Sequence, residues 1–319
     1  MVRARPGLGE MLCAIPALRA LRGTAPRAHI TLIGLPSARW VAERFHTYVS
    51  ELLPFPGFPG IPNAEFDAGK TTRFFAECHE RRFDLAVQLH GSGQAANTFT
   101  CLLGARATAG AHRGEDPTVD PELSIPVTQE PEPARLLRVV EHLGASPGRG
   151  TELEFPISSE EEAEMAEHGL APGGYVCIQP GAKRPWHLEN FVIVARTLHE
   201  RGLRVVLTGA EAERLIVEQL ADALDGDALD LAGELSLGAT GALVRDAALL
   251  VANDGGLSQL AAATGTRSVF VCPPDADVER WAPVDRELHR PVGGAGREAD
   301  VDAVLEQADE LLSETRAAS

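Results

Sequence analysis

No run in the 319 residues approaches the ~18 consecutive apolar positions that a bilayer-crossing helix needs. A secretory apolar core is missing as well, because Arg3, Arg5 and Pro6 interrupt the N-terminus at once. Both absences lead to the expectation of a cytoplasmic protein without stable membrane insertion. The cysteines (Cys13, Cys78, Cys101, Cys177, Cys272) are scattered, form no C-x-x-C pair and have mostly apolar neighbours. They read as small core residues in a reducing compartment, not as disulfides or a zinc site. Positive charge is scarce. A net charge of −17 argues against nucleic acid or an anionic membrane as the main partner. The deficit is uneven, since residues 1–50 carry seven arginines against two glutamates, and a cleft there can attract an anion. No internal repeat and no low-complexity tract is found.

What is present is the composition of a globular protein, 44% hydrophobic and 24% charged. The length exceeds one ordinary core and predicts two domains of ~150 residues each. Strand and helix patterns alternate almost throughout, which points to parallel sheets covered by helices. Strand candidates in the first half are Ala28–Gly34, Phe83–His90 and Ala107–Gly110, with a very short first strand at Met1–Arg5. Leu12, Ile15, Leu18 and Leu21 mark a helical face, and the Pro- and Gly-rich stretch 55–63 reads as a loop. A second series starts at Tyr175, with strands in "YVCIQ", "LRVVLTG", "LDLAG", "AALLVAND" and "SVFVCPP". Helices are expected at 188–201, 211–224 and 257–264, and an amphipathic tail helix at 299–315. The break falls at "APGG", giving domains 1–170 and 171–319, each doubly wound, with a ligand cleft at the carboxyl ends of the strands.

Polar and glycine-rich residues gather at those ends. "VANDGGLSQLAAATG" is a buried strand, a turn and a helix start whose N–H groups suit a phosphate, with Gly255 and Gly256 admitting close approach. Asp254 as a plain helix cap has equal weight. "QPGAKRPWHLENF" places Lys183 and Arg184 in another strand-end turn, and the two turns together point to a diphosphate site more strongly than either alone. It is not a Walker loop. "LTGAEAERL" offers Glu213 for ribose hydroxyls, or a solvated surface carboxylate. In the first half "PGLGE" is a poor dinucleotide fingerprint, and "LHGSG" is not a nucleophile elbow. His90 can bind a sugar, move a proton or serve as a structural histidine. The D-x-D triplets at 225–227, 275–277 and 300–302 read as acidic surface. Glu10 follows a glycine-rich turn and stands ~200° around a helix from Leu12, away from the apolar stripe. It is either a favourable charge at a helix start or a base aimed into a cleft.

Five segments in order resemble glycosyltransferase family 9, the ADP-heptose:lipopolysaccharide heptosyltransferases. They are "GLGEMLCAIPALRALR", "FDLAVQLHGSGQAA", "IQPGAKRPWHLENFVIVARTLHERGLRVVLTGAEAE", "DLAGELSLGATGALVRDAALLVANDGG" and "RWAP". The resemblance implies a GT-B architecture, with two Rossmann-like domains facing a cleft and the C-terminal helix packing back on the N-terminal domain. It implies metal-independent, inverting transfer, with no cofactor beyond the nucleotide-sugar co-substrate, ADP-heptose. The acceptor would bind the first domain at Gly9, His90, Gly91 and Ser92, with Glu10 as the base. The donor would bind the second domain. Lys183 or Arg184 would meet its phosphates, Thr208, Gly209 and Glu213 its ribose side, Leu235 and Leu237 its adenine. Asp254, Gly255, Gly256 and Gln259 would surround its diphosphate. The family carries Asp where this chain has Glu10, and D-[ST]-G-x-x-H where it has Asp254, Gly255, Gly256 and Gln259. A degenerate nucleotide-sugar binder and a GT-B-like UDP-sugar epimerase are the competing readings; a two-lobed solute-binding protein fits less well.

Overall fold

The computed structural model describes residues 1–91, 93–114, 116–181 and 186–318, the last five by backbone alone. The chain divides into two compact units, Met1–Glu152 and Leu153–Ser319.

In the first unit every described strand pair is parallel. β1 (Thr31–Gly34) pairs with β2 (Glu51–Pro54), β3 (Leu85–Val87) with β4 (Ala107–Ala109), and β5 (Ala111–His112) with β6 (Ile125–Pro126). The N-terminal segment joins the first two pairs, because Val2 bridges Ile33 on one side and Gln88 on the other. Its N–H donates to Val87 O and its carbonyl accepts from Leu89 N–H, both at 2.9 Å. The order is therefore β2, β1, Val2, β3, β4, with the topological switch point between Val2 and β3. The strand expected over Met1–Arg5 shrinks to these bridges, since Pro6 and the glycines after it draw the chain out of the sheet. The expected helical face is split: Leu8–Leu12 and Ile15–Thr24 are separate helices broken at Cys13 and Ala14. Leu12, Ile15 and Leu18 are buried all the same.

The second unit holds one six-stranded parallel sheet. Its strands are β7 (Tyr175–Gln179), β8 (Arg204–Leu207), β9 (Ala228–Asp230), β10 (Leu249–Asn253), β11 (Ser268–Cys272) and β12 (His289–Gly293). They lie in the order β12, β11, β10, β7, β8, β9, the doubly wound arrangement whose switch point separates β7 from β10. Every residue of β7, β10 and β11 is buried, as a sheet covered on both faces requires. Phe191, Val194 and Leu198 of helix Leu188–Glu200 cover Val176, Ile178 and Val205 in one core. β12 was not among the expected strands because "HRPVG" contains Pro291, which only an edge strand tolerates.

The division between units comes earlier than residue 170. Helix Ser159–Ala166 belongs to the second unit: Glu164 accepts from Ser236 N at 2.8 Å and Oγ at 2.7 Å, and Glu162 from Arg245 at 2.7 Å. A Cβ on Gly241 would stand 2.4 Å from the Phe155 ring, so the segment from 153 onward is packed on this unit. In the tail helix Val301–Ala318, Val304, Ala308 and Leu311 are fully buried in the second unit's core beside Val269 and Val292. Once β12 extends the sheet, this stripe has an apolar surface within its own unit. Four cysteines are buried as expected, whereas Cys101 is exposed. Among the described residues no helix is long and apolar enough to cross a membrane.

Candidate active site

At the first unit's switch point, Gly7 opens helix Leu8–Leu12 and Glu10 occupies its first turn. Glu10 Oε2 accepts from Gly7 N–H at 3.1 Å, and Oε1 faces Arg5 Nη1 at 3.3 Å. The side chain is 25% exposed, so the carboxylate is held by two partners and still reaches solvent. The cap bond fixes the direction of the side chain at the helix start. Arg5 also donates Nε to the His90 carbonyl at 3.1 Å, which ties the helix start to the turn after β3. That turn is braced from within. Gln88 Oε1 accepts from Gly91 N–H at 2.9 Å, and its Nε2 reaches Gly91 O and Asn97 Oδ1, each at 2.6 Å. His90 is 7% exposed, and its Nδ1 has no hydrogen-bond partner among the described residues. Burial first, then the Arg5 and Arg3 charges, lower its pKa to about 4. It is a neutral imidazole near pH 7.

In the second unit four strand-end turns line one edge. Gln179 ends β7 and donates Nε2 to Glu213 Oε1 at 2.8 Å, while Glu213 Oε2 accepts from Ala210 N–H at 2.9 Å. Gly181 and Gly209 make room for that carboxylate: a Cβ on Gly181 would lie 2.4 Å from it, and one on Gly209 3.2 Å. Thr208 is buried and donates its N–H to Ile178 O at 3.0 Å, and Gly209 O accepts from Gly233 N–H at 2.9 Å. Across the switch point, Asn253 staples the two central turns together. Its Nδ2 donates to Pro180 O at 2.6 Å, and its Oδ1 accepts from Trp186 N–H at 3.0 Å. Gly255 precedes helix Gly256–Thr264, whose start carries free N–H groups of the kind that bind anions. Burial raises the Asp254 pKa from its ordinary value.

The structure thus brings Thr208, Gly209 and Glu213 together beside Gly181, and sets Asp254, Gly255 and Gly256 at the adjacent turn. Leu235 and Leu237 follow β9, partly exposed, at the start of helix Leu237–Asp246. Gln259 is turned elsewhere: it is 3% exposed, and its Nε2 donates to Trp281 O, which makes it a packing link to the 281 turn. Lys183, Arg184 and Ser92 lie outside the described residues. Of the D-x-D triplets, Asp225 faces Arg196 at 3.5 Å and Asp277 caps helix Val278–Trp281. Sequence reasoning missed Arg5, Gln88, Gln179 and Asn253. The last two were legible as amide side chains ending buried strands, where a fixed donor and acceptor join neighbouring turns. A solvent-open pocket also lies beside β10 and β11, lined by Trp186, His187, Asn253, Pro274, Asp275 and Glu298 among others.

The sequence profile described as glycosyltransferase family 9 (heptosyltransferase) matches residues 71–290. No curated protein matches significantly in sequence. Among solved structures, the chain is similar to the glycosyl transferase family 9 protein of Veillonella parvula, with TM-score 0.79 and 19% identity over 98% of this chain and 96% of that one. It is similar to the ADP-heptose lps heptosyltransferase II of E. coli, with TM-score 0.73 and 18% identity over 99% and 98%. A UDP-GlcNAc 2-epimerase from Methanocaldococcus jannaschii superimposes less well, with TM-score 0.59 and 11% identity over 98% and 91%. At these identities the likeness carries the GT-B-type fold.

Proposed function

The chain belongs to glycosyltransferase family 9, the heptosyltransferases, and on that premise we propose inverting transfer of a heptose from ADP-heptose to an acceptor hydroxyl, with Glu10 as general base. The observation that carries this reading is the Glu10 carboxylate, pinned by Gly7 N–H and Arg5 at the edge of the first unit yet 25% exposed. Inversion requires the acceptor hydroxyl to lose its proton as it attacks the anomeric carbon from the face opposite the leaving diphosphate. A carboxylate pinned at a helix start and open to solvent is suited to take that proton, an effect worth ~10²–10⁴-fold. Acceptor binding is assigned to the first unit at Gly9, His90, Gly91 and Ser92, where the neutral His90 can hydrogen-bond a sugar without adding charge.

The second unit takes the donor. Among the described residues Glu213 has one bond on each carboxylate oxygen, and a carboxylate accepts about four, which leaves lone pairs for ribose hydroxyls. Thr208, Gly209, Leu235 and Leu237 flank the nucleoside. Asp254 and the helix start at Gly255 and Gly256, together with Lys183 or Arg184, meet the diphosphate. Preorganised N–H groups and cations at that point stabilise the charge that grows on the departing ADP without requiring a metal.

The test is release of ADP from ADP-heptose by the purified protein, with EDTA present, across a panel of acceptor sugars. Release by the wild type and its loss in Glu10→Ala, with ADP binding retained, supports the reading. Tight ADP-sugar binding without release for any acceptor overturns it in favour of a binding protein. Epimerisation of a UDP-sugar overturns it in favour of the alternative enzyme.

A further inference from the structure

Arg3 heads the large fully buried side chains among the described residues, at 0% exposure, and has no part in the chemistry above. Its Nε donates to the Glu10 carbonyl at 2.9 Å, its Nη2 to the same oxygen, and its Nη1 to the Leu89 carbonyl. Behind it stands Glu132, also 0% exposed, with Oε1 at 3.2 Å from Nη2. Arg135 grips that carboxylate from the other side, Nε on Oε2 at 3.0 Å and Nη2 on Oε1 at 2.8 Å. The Glu10 carbonyl is open to Arg3 because the helix breaks there: Ala14 N–H, which would reach it in a continuing helix, turns to Met11 O.

A buried ionic cluster is a weak source of stability, since apolar side chains of similar volume often do as well or better. What an apolar side chain cannot do is donate at once to carbonyls on both sides of the switch point. We infer that Arg3 is a positioning residue: backed by Glu132 and Arg135, it fixes the backbone of Glu10 against the turn after β3 and so sets where the Glu10 carboxylate lies. This rests on the general-base reading of Glu10. A planar fork of five donors suits the task, and a lysine has no such fork.

The experiment compares wild type, Arg3→Lys, the triple variant Arg3→Met/Glu132→Leu/Arg135→Met, and Glu10→Gln. Each is measured for thermal melting, ADP affinity by calorimetry, steady-state ADP release from ADP-heptose, and amide hydrogen exchange. The triple variant leaves no unpaired charge in the core. It is expected to stay folded with a modestly lowered melting point, since two carbonyls lose their donor, and to bind ADP equally well and keep the donor KM, while kcat falls ~10²-fold, the scale of a 1 Å misplacement. Exchange at Met11 and Cys13, whose N–H groups close that first helix, should accelerate in the same variant. Wild-type kcat with unchanged exchange overturns the inference and leaves Arg3 as a core ion pair. Should the triple variant not fold, Arg3→Lys carries the same test, with the fall expected in kcat and not in ADP affinity. Full activity in Glu10→Gln would instead sink the general-base reading, and exchange at Met11 and Cys13 still decides whether Arg3 fixes that turn.

Discussion

Replacing Gly181 by alanine puts a methyl group where Glu213 already lies. The added Cβ would stand 2.4 Å from both Cδ and Oε1 of Glu213 and 2.7 Å from its Cγ. That is over 1 Å inside the ~3.5–4 Å of ordinary carbon contact. Glu213 cannot step aside freely, because Gln179 holds Oε1 at 2.8 Å and Ala210 N–H holds Oε2 at 2.9 Å. Rotating it away breaks both bonds. Hydrogen bonds to charged groups contribute about 1.5–3 kcal/mol each, and water recovers part of that at a half-exposed site, leaving a loss of ~2 kcal/mol. Glu213→Ala removes the obstacle. Gly181 has no positive φ, so in that background the second change should be neutral or gain a few tenths of a kcal/mol. Urea denaturation of the two single variants and the double variant therefore predicts a coupling of ~2 kcal/mol. Calorimetric titration with ADP should give a similar loss of affinity, ~10-fold, in all three, since each displaces or deletes the same carboxylate. Additive stability losses would refute the packing account. Unchanged ADP affinity would remove Glu213 from the donor site.

Three further outcomes follow from the same geometry. Glu10→Gln keeps the shape and cap of the first helix turn but not the basicity, so kcat should drop ~10²-fold or more at unaltered ADP affinity, read by steady-state ADP release. His90 and His289 are each lowered to about 4 by burial, so the unfolded chain binds their protons first as pH falls below ~6.5. Stability is then present above that value and lost on the way down, by ~2 kcal/mol per histidine between pH 7 and 5, and denaturation curves in His90→Gln and His289→Gln should each flatten that slope. Gly241→Ala drives a methyl into the Phe155 ring and should destabilise the second unit by ~1–3 kcal/mol while exchange in the first unit stays as it was, which checks that residue 155 belongs with the later half.

How far the sequence could be read depended on how local each signal was. β7, β10 and β11 are short apolar runs closed by Gln, Asn or Pro, and they were found nearly to the residue because a strand buried on both faces has to look that way. The segment at Met1–Arg5 was misjudged in length, since its sheet bonds come from residues far along the chain and Arg3 sits among the buried positions that a sequence pattern assigns to apolar residues. The boundary slipped for a similar reason: Glu162 and Glu164 are tied to Arg245 and Ser236, which lie about eighty positions later. Glu10, Glu213 and the Gly255–Gly256 turn were legible from composition at strand ends. The contacts that hold them, through Arg5, Gln179 and Asn253, were not, because which strand ends meet across a sheet leaves no trace in spacing.

The Arg3 cluster also bears on how the chain is made. Synthesis proceeds at ~5–20 residues per second, so on that scale the third residue is left roughly ten seconds before the codons for Glu132 and Arg135 are read. Until then the guanidinium has no counter-ion and gains nothing by leaving water. The central segment of the first sheet, although first out of the ribosome, is therefore set in place near the end of that unit's folding. Premature release of the nascent chain before residue 135 would leave an N-terminal arm that can pair its backbone but cannot bury its charge.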